Sequence, residues 1–201
     1  MGLIRTVAVL AFAACLASAQ DERRVASPNG QLEFRIWTWQ SDRGGLSRIA
    51  YQVLHRGKPV VNTSFMGLLI HNQEPILGEN AGLTGSRASD GPAYRGLVAE
   101  YMQNGSLGRR IDVEARVYDD RVEFRYLIPR STMLDEILID DEATEFDLAA
   151  GARVSETPLP GFPRMTVVDG VARLARGESG VAYTGRTPLV CPWRVISLGR
   201  P

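Results

Sequence analysis

The chain carries one dense acidic run whose residue types could perform general acid–base chemistry. Asp140, Asp141 and Glu142 are consecutive, and Glu145 follows shortly after them. Two carboxylates a few ångströms apart can protonate and attack a glycosidic bond, so such pairs are expected in glycosidases. In a strand, however, neighbouring side chains point to opposite faces of the sheet. We therefore expect these residues to form a solvated acidic edge, or a surface that tolerates calcium, rather than a catalytic pair.

Histidine, cysteine and glycine motifs give no support to other chemistry. The two histidines of the chain, His55 and His71, each lie near the end of a predicted strand. No His-x-His, His-Glu-x-x-His or Cys-x-x-Cys motif brings metal ligands together. The span Gly78–Gly91 lacks the Lys-Ser/Thr ending of a phosphate-binding loop, and no Gly-x-Ser-x-Gly elbow occurs. The sequence therefore predicts no catalytic residue and no metal site, and both histidines are expected on the surface.

Two tryptophans are the best candidates for ligand binding. Trp37 and Trp39 are two residues apart on a predicted strand, so they share one face with Arg35. Phe34 and Ile36 occupy the opposite face, towards the core. Adjacent indole rings would form a flat platform for sugar rings, and Arg35 could donate hydrogen bonds to hydroxyl groups. We predict a carbohydrate-binding site at these three residues.

The alternative interpretation of this platform is structural. Large aromatic residues are buried on average, and exposed apolar patches often mark interfaces. A second sheet or another domain could therefore cover Trp37 and Trp39.

The first residues have the features of a signal peptide. Met1–Arg5 carries one positive charge, an apolar run extends through Leu16, and Ala17-Ser18-Ala19 supplies the small residues of a cleavage site. The run is too short for a spanning helix, which needs about 20 apolar residues. We expect residues 1–19 to be removed and the protein to be exported to the periplasm or the extracellular space. Lipoprotein processing at Cys15 is a second option.

The mature chain, residues 20–201, is predicted to be a single domain. It retains one cysteine, Cys191, which excludes an internal disulfide; we expect it to be a small buried apolar residue. Loss of Arg5 moves the formal net charge from zero to minus one. The chain has neither the basic patch that nucleic acid requires nor a polybasic amphipathic stretch for a membrane surface. A hydrophobic core must therefore hold the domain together.

The stretch Arg109–Pro129 sets the fold class. Apolar and charged residues alternate on both sides of Asp119-Asp120, as is typical of an antiparallel hairpin with one buried and one solvated face. Its outward Glu and Arg residues can pair across the strands. Further strands are predicted over Leu32–Trp39, Ile49–His55, Val60–Val61, Met66–His71, Tyr94–Met102, Thr166–Val168, Val171–Leu174, Val181–Tyr183 and Trp193–Leu198. We predict an all-β fold, an antiparallel β-sandwich.

Three segments are harder to assign. Met133–Leu148 has apolar positions that fit either a helix or a strand, and we favour a strand because its surroundings are β. Asn72–Pro92 is rich in Gly, Asn, Ser and Asp and is predicted to be a long surface loop. Gly151–Pro163 is rich in Pro and Gly, and we expect it to be irregular.

An ordered set of segments resembles a known family. The segments are Val25–Leu32, Val53–Leu68, Arg116–Pro129 and Glu145–Leu148, followed by Thr187–Gly199 with its Pro-Trp-Arg sequence. Together they resemble the N-terminal domain of glycoside hydrolase family 97. The resemblance implies a β-supersandwich similar to the galactose mutarotase fold. In that family the domain packs on a (β/α)8 barrel that acts on α-linked sugars with the help of calcium.

The departures from the family pattern limit what can be transferred. The family's catalytic carboxylates belong to the barrel, which is expected to start where this chain stops, at Pro201. A glutamate in a Trp- and Tyr-rich segment reaches the family's calcium site, but Ala149–Pro163 is Pro-rich, and Glu156 there lacks that context. No catalytic residue and no cofactor are therefore assigned.

Two functional hypotheses remain open. The first is an exported, non-catalytic carbohydrate-binding or accessory domain, whose partners would be a carbohydrate and a separately encoded hydrolase barrel. The second is an enzyme, either as part of a split or truncated α-glycoside hydrolase or as a sugar-acting, mutarotase-like protein, which would need a positioned acid and base.

Overall fold

All regular elements that the computed structural model describes are β-strands. The described residues are 21–41, 43–105, 108–130, 136–150, 164–168, 171–175, 183–186, 188–191 and 193–197. Their strands are β1 (Arg23–Ala26), β2 (Leu32–Trp39), β3 (Arg48–His55), β4 (Lys58–Met66), β5 (Leu68–Ile70), β6 (Ala81–Ala88), β7 (Arg95–Gln103), β8 (Arg110–Val117), β9 (Arg121–Ile128), β10 (Glu136–Glu142), β11 (Glu145–Asp147), β12 (Arg164–Val168), β13 (Val171–Ala175), β14 (Tyr183–Arg186), β15 (Leu189–Val190) and β16 (Arg194–Ser197). No helix in these ranges is long and apolar enough to cross a membrane.

Two larger antiparallel sheets carry most of the strands. One follows the chain order β1-β2-β3-β4, and the other has the order β15-β9-β8-β7-β6, with β16 also paired to β9. Two three-stranded sheets, β14-β10-β5 and β11-β13-β12, complete the arrangement. Most neighbours in the larger sheets are also neighbours in sequence, which is the meander topology that short turns produce.

The two larger sheets pack face to face through aromatic residues. Phe34 and Tyr51 project from β2 and β3, and their ring centroids lie 6.2 Å and 5.4 Å from that of Phe124 on β9. Phe146 closes the cluster, 6.0 Å from Phe124. Each of these rings is almost completely buried, as expected of the interdigitating core between two sheets. The prediction of an all-β, antiparallel sandwich is confirmed.

The predicted central hairpin is present, but its second face is not simply solvated. β8 and β9 pair through a turn in which the Tyr118 amide donates to the Arg121 carbonyl at 2.9 Å. As the sequence predicts, a Glu–Arg pair crosses the hairpin: Arg125 Nε donates a hydrogen bond to Glu114 Oε2 at 2.7 Å. However, Asp112 and Glu114 are only 6% exposed. Long arginine side chains cover this face, because their aliphatic stems can lie over it while their charged ends pair with the acids.

The prediction of a loop over Asn72–Pro92 is wrong for its second half. Its second half is the strand β6, which pairs with β7 from Ala81↔Gln103 to Ala88↔Leu97. The composition disguises this edge strand, since Gly82, Gly85 and Ser86 have low β-propensity and a bulge interrupts its register between Leu83 and Gly85. Backbone pairing with β7 stabilises it instead of side-chain burial.

The ambiguous segment 133–148 forms strands, as favoured. β10 and β11 occupy its described part, and β10 carries a bulge against β5 between Ile139 and Asp141. β12 and β13 pair as predicted around Asp169-Gly170, although those two turn residues lie outside the described ranges. Residues 1–20, with the predicted signal peptide and Cys15, and residues 151–163, with Glu156, also lie outside them.

Candidate functional site

The three residues predicted to bind carbohydrate lie together on the outer face of the β1–β4 sheet. Leu32, Phe34 and Ile36 of β2 are buried against the core, and the alternation of the strand places Arg35, Trp37 and Trp39 on the other side. All three outward residues are partly exposed. The alternation within β2, which the sequence displays directly, is what positions them.

Register brings a third aromatic residue to this face. Trp37 of β2 lies opposite Ala50 of β3, and Ala50 lies opposite Phe65 of β4. The ring centroids of Trp39 and Phe65 are 5.2 Å apart at an interplanar angle of 67°, an edge-to-face contact. Ala50, which lies between Trp37 and Phe65 in the sheet, is completely buried, so side chains around it cover it. We call Trp37, Trp39 and Phe65 the aromatic face.

Guanidinium groups flank the aromatic face on two sides. Arg35 lies opposite Arg24 of β1 and opposite Gln52 of β3. Arg48, opposite Trp39, places its Cζ 4.1 Å from the centroid of the Phe65 ring. Arg35 forms a short ion pair with Glu33. The face thus combines flat apolar rings with rigid planar donors, the pairing of groups that sugar rings and their substituents can use.

The sequence could identify part of this site only. The period-two pattern places Arg35, Trp37 and Trp39 on one face, but Phe65 and Arg48 join them through strand register, which the sequence does not display. Phe65 was predicted to lie between two strands, whereas β4 extends from Lys58 to Met66. No local signal marks its pairing with β3.

Glu142 does not belong to a solvated acidic edge, which corrects the prediction for this residue, whereas Asp140, Asp141 and Glu145 are partly exposed. Glu142 is 2% exposed and forms a buried, two-point ion pair with Arg194 of β16; Arg194 Nε lies 3.0 Å from Glu142 Oε1. The Thr144 hydroxyl donates to the same carboxylate oxygen at 2.6 Å and also bonds the Tyr126 hydroxyl. Burial is the main reason that the pKa of Tyr126 is raised, and the charge of Glu142 raises it further.

This network is unsuited to acid–base catalysis. The Glu142 carboxylate is held by a guanidinium in the interior, where no substrate has access, and Glu145 instead lies 3.7 Å from Arg48 Nη2. Within the described part of the chain, no group of three or more His, Cys, Asp or Glu residues could hold a metal ion. Glu142 and Glu145 each pair with an arginine.

His71 is on the surface, as expected, but it is not isolated. Its Nδ1 lies 2.9 Å from Asp140 Oδ2, and its side chain is 48% exposed. Asp140 sits at the bulge of β10, and a bulge re-aims the side chain of its residue. The contact through Nδ1 makes His71 an oriented imidazole, held by the Asp140 carboxylate.

A second row of arginine and aromatic side chains crosses the outer face of the six-stranded sheet. Trp193 lies between two guanidiniums, each with its Cζ 4.3 Å from the ring centroid. The row continues through further cation–π and ring contacts, in the order Arg125, Trp193, Arg116, Tyr94, Tyr118 and Arg121. Glu114 accepts hydrogen bonds from two of these arginines. The row fastens Trp193, and with it the segment before β16, to the sheet.

Comparisons with known proteins agree with this architecture. The family model described as Glycosyl-hydrolase 97 N-terminal matches residues 25–158. A search of curated proteins gives no match. Among solved structures, a variant of a glycoside hydrolase family 97 enzyme from Pseudoalteromonas sp. strain K8 superposes with a TM-score of 0.71 at 20% identity over 88% of this chain. The same enzyme in complex with acarbose gives 0.70 at 18% identity, and a beta-arabinopyranosidase gives 0.67 at 18%.

The structural likenesses cover only part of the relatives. This chain spans 35% of the Pseudoalteromonas enzyme and 40% of the beta-arabinopyranosidase. At this level of identity they establish the fold, a β-sandwich shared with those enzymes. The family-model match covers most of the chain, and the chain belongs to the glycoside hydrolase family 97 N-terminal domain family.

Proposed function

We propose that this protein is an exported, non-catalytic module that binds carbohydrate through the aromatic face. The observation that carries the proposal is the alignment of Trp37, Trp39 and Phe65 on one side of the β1–β4 sheet, with Arg35 and Arg48 beside them. Stacking on flat rings suits the apolar faces of sugars, and planar guanidiniums can donate hydrogen bonds to hydroxyl groups.

The pairing of acidic side chains with arginines in the described part of the chain supports a binding role. Among the described residues the buried carboxylate Glu142 is committed to Arg194, and Glu33 to Arg35. Hydrolysis of a glycoside requires two carboxylates that face the scissile bond. An accessory role would leave that chemistry to a hydrolase barrel on another polypeptide or on a further part of the same protein.

Tryptophan fluorescence tests the proposal directly. One solved relative binds panose, so panose and acarbose are suitable first probes, with neutral disaccharides beside them. We expect a saturable change in emission that is lost in Trp37→Ala and in Trp39→Ala. Trp193→Phe is the matched control, because Trp193 lies on the other large sheet; it should keep the response. No response to any saccharide would overturn the proposal.

One observation favours a second candidate, a sugar-acting enzyme of the mutarotase kind. The His71–Asp140 pair provides an imidazole oriented by a carboxylate, which is the arrangement of a general base. The purified chain should be incubated with freshly dissolved α-galactose and with aryl α-glycosides. Turnover above the buffer rate that disappears in His71→Gln would establish the enzyme and displace the non-catalytic role.

A further inference from the structure

We propose that the aromatic face recognises an acidic saccharide, whose carboxylate or sulfate group lies between Arg24 and Arg35 while its ring stacks on Trp37. The inference rests on the proposed carbohydrate binding and adds the charge of the ligand to it. The proposed anion site is the register pair Arg24–Arg35, which lies next to the aromatic face on the same sheet.

Two arginines stand opposite each other on neighbouring strands, beside the aromatic face. Arg24 of β1 and Arg35 of β2 are register partners, and like charges directly opposite each other on neighbouring strands destabilise a sheet. The nearby acids relieve this repulsion in part. Arg35 pairs closely with Glu33, but Arg24 Nε is 3.8 Å from Glu22 Oε1, beyond hydrogen-bonding distance. An anion that bridges the two guanidiniums would remove the remaining repulsion.

Both guanidiniums are open to a ligand. The side chain of Arg24 is 68% exposed and that of Arg35 is 31% exposed. Directly opposite side chains have their Cβ atoms about 5 Å apart, so one oxyanion can accept hydrogen bonds from both arginines. Arginine presents a planar fork that matches the oxygen pair of a carboxylate or a sulfate, and such charge-assisted bonds are about twice as strong as neutral ones.

The position of the pair fits an anionic substituent on a stacked ring. Arg35 and Trp37 are two residues apart on one face, so their Cα atoms are about 7 Å apart. This separation lets a charged substituent on a sugar ring reach Arg35 while the ring remains over the indole. On the other side of the aromatic face, Arg48 is occupied by Glu79, Glu145 and the Phe65 ring. The anion is therefore expected on the side of Arg24 and Arg35.

Calorimetric titration of the full chain with size-matched trisaccharides tests the inference. The probes are a neutral gluco-trisaccharide, trigalacturonate and a sulfated galacto-trisaccharide, each at low and at high salt. We expect an acidic probe to bind at least about tenfold more tightly than the neutral one at low salt, the equivalent of one charge-assisted contact. Salt should reduce this advantage. The acidic probe that binds tells whether the anion is a carboxylate or a sulfate.

Variants separate the anion site from the stacking platform. Arg24→Gln should remove most of the preference for the acidic probe and leave neutral binding and the Trp37-dependent fluorescence unchanged. Adding Arg35→Gln should abolish the preference and also weaken neutral binding, because Arg35 belongs to the proposed carbohydrate site. Arg56→Gln is the control, since Arg56 lies in the β3–β4 turn and bonds Gln31. Equal binding of neutral and acidic probes would overturn this inference and leave the proposed function intact. Absence of binding to every probe would overturn both.

Discussion

Arg194 and Glu142 form an ion pair in the interior of the sandwich, although they are 52 residues apart in sequence. Their side chains are 6% and 0% exposed. The pair joins β16, at one border of the six-stranded sheet, to β10 of a different sheet. Because Thr144 and Tyr126 bond to the same carboxylate system, the contact fixes the last described strand as part of the folded domain.

Removal of the Arg194 guanidinium should therefore destabilise the domain. Arg194→Met leaves the Glu142 carboxylate buried with less compensation, and we expect the free energy of unfolding to fall by about 3–5 kcal/mol. Urea denaturation monitored by tryptophan fluorescence measures this. The double variant Arg194→Met/Glu142→Leu replaces the pair by apolar side chains and should recover most of the loss. A single variant as stable as the wild type would contradict the buried pair.

Trp193, which lies between the guanidiniums of Arg116 and Arg125, should contribute to stability independently of the Arg194–Glu142 pair. Trp193→Ala removes two cation–π contacts, and we expect a loss of about 2 kcal/mol. Trp193→Phe retains an aromatic face and should lose less. A double-mutant cycle with Arg125→Met isolates the pairwise term; a coupling energy near zero would show that Trp193 acts only through apolar packing.

The strand pattern was predictable where alternation is strong. Phe34 and Ile36 face the core, Arg35 and Trp37 face outward, and the hairpin around Asp119-Asp120 forms as its periodicity indicates. Each of these inferences uses neighbours in sequence only. Side-chain direction within a strand has a period of two whatever the partner strand is, which is why local sequence suffices.

Long-range partners were not predictable from the same patterns. The burial of Arg194 could not be predicted, because arginine is almost never fully buried unless it is paired, and the sequence placed its partner Glu142 in a surface acidic run. β6 escaped detection because backbone pairing with β7, rather than its side chains, defines it. Phe65 belongs to the aromatic face because of the register between β3 and β4. The sequence of one strand does not show how that strand is aligned with its neighbour.

Asp112 should make stability depend on pH. Burial raises the pKa of Asp112, Arg110 opposes this shift, and Glu100 adds to it. Between the unfolded pKa, near the ordinary value of 3.8, and the raised folded pKa, the folded protein binds more protons than the unfolded chain. The free energy of unfolding therefore falls as pH rises through that window, and the penalty persists above it.

Asp112→Asn removes this titration. We expect the variant to gain stability relative to the wild type as pH rises from below 3.8 to neutrality. Unfolding by urea at a series of pH values provides the comparison. Asp120→Asn is the control, since that side chain is 70% exposed. A stability difference that is constant with pH would show that Asp112 titrates alike in both states.

Two glycines test the edge strand that sequence analysis assigned to a loop. A Cβ at Gly96 of β7 would lie 2.4 Å from the Ser89 carbonyl oxygen, immediately after β6, whereas a Cβ at Gly82 would meet only Asn104 Nδ2, at 4.0 Å. The Gly96 amide also donates to Asp90 Oδ1 at 2.9 Å, and its carbonyl accepts from the Ser89 amide at 3.0 Å. The end of β6 is thus packed against the Gly96 backbone.

Gly96→Ala should therefore destabilise the domain by about 1–3 kcal/mol, the usual cost of overpacking. Gly82→Ala should be neutral or slightly stabilising, because alanine loses less backbone freedom on folding than glycine does. Thermal unfolding of the two variants beside the wild type measures the contrast. If residues 81–88 were an unpaired loop, as their composition suggests, the backbone at Ser89 could move away from the new methyl group and both variants would behave alike.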